Sequence, residues 1–328
     1  MKYCYILYVV LLFNCSRNTT TKCNINNHKI DSVYFLTRNI DSSIVHPQAL
    51  GVFKDYLIII EPQKQNLIFT VYDNLTFNHV LSAGYKGRSN NEFINPRPDY
   101  FHSTDSAFYI LDSSIEKEIQ IIDKSLVVTN RNPIIITEAI NGLIKIGHDN
   151  YIMAGLDDAE HKEHLLYNNG DYSTFGKYPN HITDNVYVFN YKLTKGNNNR
   201  QILYDFYLYQ NLIRTYDFKG NLLQNIEIED NVNRPICSTF GDMIPVFFSI
   251  QSNDEYIATR YNKSQNTNEL FASLTTSNHE LQLWSWDGNL EKRLIFDKPF
   301  NIFTISNNNI IYAINSDTPN TLYYYEIK

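Results

Sequence analysis

The chain has 328 residues, 43% hydrophobic and 19% charged, a balance that supports a packed core and excludes a disordered chain. Its net charge of −7 excludes the basic footprint of a nucleic-acid binder. The 14% aromatic share, with 25 Tyr and 19 Phe, suits half-buried strands better than helices.

At the N-terminus Lys2 precedes a nine-residue apolar run, Tyr5 to Phe13. That length fits the core of a signal peptide and is too short to span a bilayer as a helix. The run stops at Leu12-Phe13-Asn14-Cys15 and is followed by polar Ser16 to Thr21. This resembles a bacterial lipobox, with Leu12 in place and Phe13 and Asn14 departing from the usual small residues. The resemblance implies that residues 1–14 are removed and that Cys15 is acylated, anchoring the protein to a lipid bilayer of the cell envelope, the outer membrane being the expected one. Residues 15–30, polar and rich in Asn and Thr, are expected to form a tether. Two cysteines remain, Cys23 and Cys237; nothing in their spacing decides whether they pair.

From Asp31 to Lys328 the pattern is one of short apolar runs bounded by Asn, Asp, Gly and Lys, the signature of many short strands joined by turns. One phrase repeats: an apolar strand closed by an acid or amide. It ends at Asp73, Asp123, Asn168, Asp217, Asp287 and Glu326, at intervals of 50, 45, 49, 70 and 39 residues. Four of these match the period of a propeller blade. The long interval is expected to hold a loop insertion around Tyr261 to Thr276. The pattern predicts an all-β fold, a six-bladed β-propeller of four-stranded antiparallel blades over residues 31–328. The strand Val33 to Leu36, which precedes the first blade, is expected to join the last blade near Leu322 to Ile327 and close the ring.

The segment Gly84-Tyr85-Lys86-Gly87-Arg88-Ser89-Asn90-Asn91-Glu92-Phe93 resembles a loop of the six-bladed, TolB-like propeller lipoproteins of Bacteroides-type bacteria. There the pattern is Gly-x-x-Gly-x-Gly-Pro-x-Glu-Phe. Gly84, Gly87, Glu92 and Phe93 match, while Ser89, Asn90 and Asn91 replace the Gly-Pro portion. The resemblance implies the same fold and an envelope location, and little about activity, since most members have no known function.

In a propeller the loops from one blade to the next share a face with the loops between second and third strands. On that face the reading gathers Tyr85, Lys86, Arg88, Glu92, Arg97, Glu61 and Asp112 as a ligand-binding patch, mixed in charge and bordered by an aromatic ring. The alternative is that Gly87 and Glu92 hold the loop's shape while the cations are simply solvated. The run Asp157 to His164 is dense in acids and His but lacks the spacing of a known metal motif, so no metal site and no cofactor are expected. No nucleophile elbow, phosphate loop or dinucleotide fingerprint occurs. The sequence therefore favours a membrane-anchored binding module for a glycan, peptide or envelope protein over its alternative, an envelope hydrolase or lyase with its site at the channel mouth.

Overall fold

The computed structural model describes residues 19–40, 43–134, 142–154, 162–179, 186–235 and 239–328. The signal segment, Cys15, Cys237 and residues 157–161 of the acid/His run lie outside them.

An N-terminal arm carries β1 (Thr19–Asn24), β2 (Ile30–Val33) and β3 (Leu36–Asn39). Blade 1 follows as β4 (Ala49–Phe53), β5 (Tyr56–Ile60), β6 (Asn66–Asp73) and β7 (His79–Tyr85). Blade 2 is β8 (Pro96–Ser103), β9 (Phe108–Asp112), β10 (Ile115–Ile122) and β11 (Ser125–Pro133). Blade 3 is β12 (Gly142–Lys145), β13 (Asn150–Ala154), β14 (His164–Asn168) and β15 (Asp171–Phe175). After a short helix α1 (Val186–Phe189), blade 4 is β16 (Lys192–Asn197), β17 (Ile202–Tyr207), β18 (Leu212–Asp217) and β19 (Leu222–Glu229). Blade 5 is β20 (Phe247–Ser252), β21 (Tyr256–Tyr261), helix α2 (Thr267–Ser273), β22 (Glu280–Ser285) and β23 (Leu290–Phe296). Blade 6 has β24 (Ile302–Ile305), β25 (Ile310–Ile314) and β26 (Thr321–Glu326), and takes β3 as its fourth strand. The innermost strands β4, β8, β12, β16, β20 and β24 each adjoin the next, and β24 returns to β4, which closes the ring.

Each copy of the repeated phrase lies on the third strand of a blade, as its period predicted. In blades 1 and 4 the closing acid caps the turn that follows. Asp73 Oδ1 accepts hydrogen bonds from Leu75 N (3.1 Å) and Thr76 N (2.7 Å), and Asp217 Oδ1 accepts from Lys219 N (3.0 Å) and Asn221 N (2.8 Å). These local bonds satisfy amides that the hairpin leaves open.

The second strands read as unbroken apolar runs because both their faces are buried. On β5, Ile58 and Ile60 pack towards blade 2, while Leu57 and Ile59 pack towards blade 6. Every blade-to-blade joint holds such a cluster. The joint of blades 5 and 6 gathers Phe35, Phe296, Phe300, Phe303 and Tyr323.

Of the stretch expected to be a tether, 15–30, the described residues 19–30 are largely docked. β1 pairs in parallel with β19 of blade 4 (Thr19↔Gln224 to Asn24↔Glu229), and β2 in parallel with β23 of blade 5. Ile25 between them is buried in the core of blades 4 and 5, and Arg293 Nη1 donates to Ile25 O at 2.7 Å. The ring is closed by an N-terminal strand paired with the last blade, as expected, but its bounds differ from Val33 to Leu36. Val33 ends β2 on blade 5 and Leu36 starts β3, which pairs antiparallel with β26 (Leu36↔Tyr324, Asn39↔Thr321). Phe35, between the two, stacks on Phe296 at 4.0 Å and pins the crossover. The insertion in blade 5 is present, but it contains α2 rather than loop alone. Asn266 caps α2 by accepting from Glu269 N (2.9 Å), and Glu269 Oε2 accepts from Asn266 N (3.0 Å).

Candidate functional site

The ring has two ends. The loop face carries the connections between blades and those between second and third strands. The turn face carries the tight first-to-second and third-to-fourth turns.

The residues gathered from the sequence do share the loop face region, but several are turned inward. Glu61 is fully buried; its Oε1 accepts from Val45 N (2.8 Å) and His46 N (2.9 Å), and Lys64 Nζ lies 2.5 Å from Oε2. Asp112, also buried, accepts from Ile94 N (3.0 Å) and Asn95 N (2.6 Å). Both carboxylates tether the segment that leads into their own blade. Asn262 and Asn315 do the same in blades 5 and 6 by donating to Pro245 O (2.9 Å) and Pro299 O (3.2 Å). Glu92 accepts from Ser89 N at 2.9 Å, and that bond holds its carboxyl below the usual range. A Cβ on Gly87 would sit 1.9 Å from Glu92 Oε2, so the glycine makes room for this internal cap. Phe93 is buried edge-on to Phe69 at 5.1 Å. Lys117, which the sequence reading missed, reaches under the loop and donates to Asn90 O (3.3 Å) and to Glu92 O. The motif is thus a plug that locks blade 1 to blade 2. Tyr85 and Arg88 are exposed on it, Lys86 is half-buried, and Arg97 pairs with Asp99 at 2.5 Å on β8.

A cavity of about 250 Å³ opens instead among blades 2, 3 and 4. Its lining comes from β8 (His102), β9 (Tyr109), β11 (Arg131) and β12 (Lys145), and from the first-to-second turns of blades 2, 3 and 4 (Thr104; Gly147 and His148; Asn198). It therefore lies on the turn face. Its cations are already matched: Arg131 is ion-paired with Glu118, and Lys145 with the buried Glu116. Tyr100 and Tyr151 also donate to Glu116, at 2.6 and 3.0 Å. Lys145 Nζ lies 4.4 Å from the centre of the Tyr109 ring. Burial first, then the Lys145 charge, pushes His102 down to about 4, so its imidazole is neutral at pH 7. The wall is polar, close to neutral and partly aromatic.

Side chains also converge on the axis. Lys195 on β16 donates to Gln251 on β20 at 3.5 Å and senses Asp99 on β8. Enclosure pushes its ammonium down to about 8.

A second buried cluster lies between blades 3 and 4. Ligand atoms of Glu163, His164 and Asp205 fall within 4.8 Å of one another, the geometry of a metal site. Lys192 Nζ, however, stands 3.6 Å from Glu163 and 3.7 Å from Asp205, and Tyr216 donates to Glu163 at 2.6 Å. Tyr207 donates to the same carboxylate. Burial opposes charge on Asp205, but His164 and Lys192 outweigh it and hold the carboxyl at about 2. An ammonium thus fills the place a metal would take, and the cluster ties blade 3 to blade 4.

No protein-family model matches the chain, and no curated protein matches it. Solved structures share the fold. A candidate exported protein from Bacteroides fragilis aligns over 94% of this chain and 99% of its own, at 10% identity and a TM-score of 0.56. A DUF4221-family protein from Bacteroides vulgatus aligns over 92% and 98%, at 9% identity and a TM-score of 0.59. The chain is thereby similar in fold to six-bladed propellers of Bacteroides. Among the described residues no helix is long and apolar enough to cross a membrane.

Proposed function

We propose that this protein is a lipid-anchored envelope module that binds a small polar ligand, such as a sugar unit of a glycan, in the turn-face cavity. The cavity carries the reading. At about 250 Å³ it falls below the ~300–1,000 Å³ of pockets for drug-sized ligands. Matched cations leave little net charge to attract a strong anion, while Tyr109, His102 and Asn198 offer a ring face and neutral hydrogen-bonding groups. The acids nearest the cavity, Glu116 and Glu118, are engaged by Lys145 and Arg131, which favours holding a ligand over acid–base chemistry on it. The lipobox at Cys15 and the fold shared with a candidate exported protein support the envelope location.

The arm relates anchor and cavity. Thr19 follows Cys15 by four residues, a reach of at most ~14 Å. β1 starts beside Gln224, next to the third-to-fourth turn of blade 4, so an anchored chain leaves from the turn face. The cavity then faces the bilayer. The test is a thermal-shift screen of envelope saccharides and peptides against the wild type and Asn198→Trp, whose indole would fill the cavity mouth from an exposed turn. A saccharide should raise the wild-type Tm and lose that effect in the variant. Hits that stabilise both proteins equally would place binding elsewhere.

A further inference from the structure

At the loop-face end of the joint between blades 5 and 6 sits a buried guanidinium with no counter-charge. Arg260, on β21, is 1% exposed. Its Nε and Nη2 have no hydrogen-bond partner. These two nitrogens form the lateral edge of the guanidinium, the edge that grips a carboxylate with two parallel bonds. The group is clamped between Phe248 of blade 5 (4.6 Å) and Phe300 of blade 6 (5.1 Å). Burial alone, with no acid in reach, pushes it down to about 9. His279, at the start of the next strand, flanks the same spot. Its ring meets Phe248 at 5.2 Å and its Nε2 is buried without a partner. The Ser273 backbone and the neighbouring Arg260 are both in its surroundings.

The repeat shows how unusual this is. Near the end of each second strand one side chain faces the following blade: Ile60, Leu111, Ala154, Phe206 and Ile314 in blades 1, 2, 3, 4 and 6. Blade 5 alone has a charged residue there, Arg260, although a hydrophobic one would fill the joint at lower cost. The α2 insertion, likewise confined to blade 5, is fastened across the same joint, since Asn315 of blade 6 donates to Thr275 O at 2.7 Å.

We infer that Arg260 and His279 form a binding site for a carboxylate, received side-on by Arg260 between Phe248 and Phe300 and covered by the α2 insertion. Such a guest supplies the acceptors missing from the Nε–Nη2 edge of Arg260 and brings an anion beside His279, whose Nε2 takes up a proton to donate to it. It is distinct from the ligand of the turn-face cavity, at the other end of the ring.

The probe is acetate, the smallest suitable planar carboxylate, titrated against the full chain at constant ionic strength with chloride as reference and Tm and heat of binding as readouts. Glucuronate and N-acetylglycine then separate an acidic sugar from a peptide C-terminus as the source. Acetate should stabilise the wild type. Arg260→Leu, which restores the apolar residue of the other blades, should fold at least as stably without acetate and lose the response. Arg260→Lys keeps the charge but not the double edge and should raise the apparent Kd at least tenfold, so the proposal stays testable should the leucine variant fold poorly. No response of the wild type beyond chloride, or an equal response in Arg260→Lys, would overturn it.

Discussion

At the scale of single residues, the groups that matter most are polar side chains in places the repeat alone does not explain. Lys195 is one. Its folded pKa of about 8 lies below the 10.5 of an ordinary lysine, so between those values the unfolded chain holds the proton more tightly. Its destabilising charge is fully present below pH 8 and is relieved as pH rises towards 10.5. Denaturant unfolding of the wild type should therefore include a gain in this window that Lys195→Met lacks. The variant should also be more stable at pH 7 by roughly 1 kcal/mol, a figure discounted because the channel stays open to water. Equal pH dependence in the two proteins would show that the channel solvates the ammonium. The residues named from the loop motif teach a related lesson. Gly87, Glu92 and Phe93 were legible as a conserved-looking pattern of chemistry, yet their role is internal. Spacing cannot tell a carboxylate that caps its own loop from one offered to a ligand. That distinction depends on whether backbone amides such as Ser89 N reach it.

At the scale of elements, the blades are held by two kinds of joint. Those of blades 1 with 2, 5 with 6 and 6 with 1 are packed by aliphatic side chains and aromatic rings. Those of 2 with 3, 3 with 4 and 4 with 5 add a buried acid that receives tyrosine hydroxyls and a cation: Glu116 with Tyr151 and Lys145, Glu163 with Tyr207 and Lys192, Asp230 with Tyr261 and Arg234. Removing the acid strips its buried cation of a counter-charge and its tyrosine hydroxyls of an acceptor, which costs ~3–5 kcal/mol. Glu163→Ala should lower the free energy of unfolding by that amount in urea; a loss below ~1 kcal/mol would mean that the hydrophobic contacts suffice. Third strands were legible because an apolar run closed by an acid or amide recurs at roughly blade-length intervals. The arm was not. Thr19 to Asn24 is polar and reads as tether, since β1 and β2 lie on outer edges and gain backbone hydrogen bonds rather than a hydrophobic face. Only the buried Ile25 hinted at docking. For α2 a signal did exist, the Asn266-x-x-Glu269 capping box, overlooked within an Asn- and Thr-rich stretch.

At the scale of the whole molecule, closure by β3 turns a row of blades into a ring with two chemically different ends. The loop face holds the plugged motif, the α2 insertion and the Arg260 site. The turn face holds the cavity and the start of β1. The cavity could not be read from sequence because its walls come from blades 2, 3 and 4, far apart in the chain; ring geometry alone brings His102, Lys145 and Asn198 together. The loop face, by contrast, carries a motif contiguous in sequence, Gly84 to Phe93. The proposed anchoring at Cys15 requires the turn face to be the side held to the membrane. Strands of four to nine residues at ~3.3 Å per residue separate the faces by roughly 20 Å. A fluorophore is therefore placed at Asn198→Cys on the turn face or at Ser89→Cys on the loop face, with Cys23 and Cys237 changed to Ser and the native anchor retained. Each protein is bound to vesicles carrying a headgroup quencher. Quenching should be strong at 198 and weak at 89; equal quenching at both positions, or stronger quenching at 89, would contradict the account.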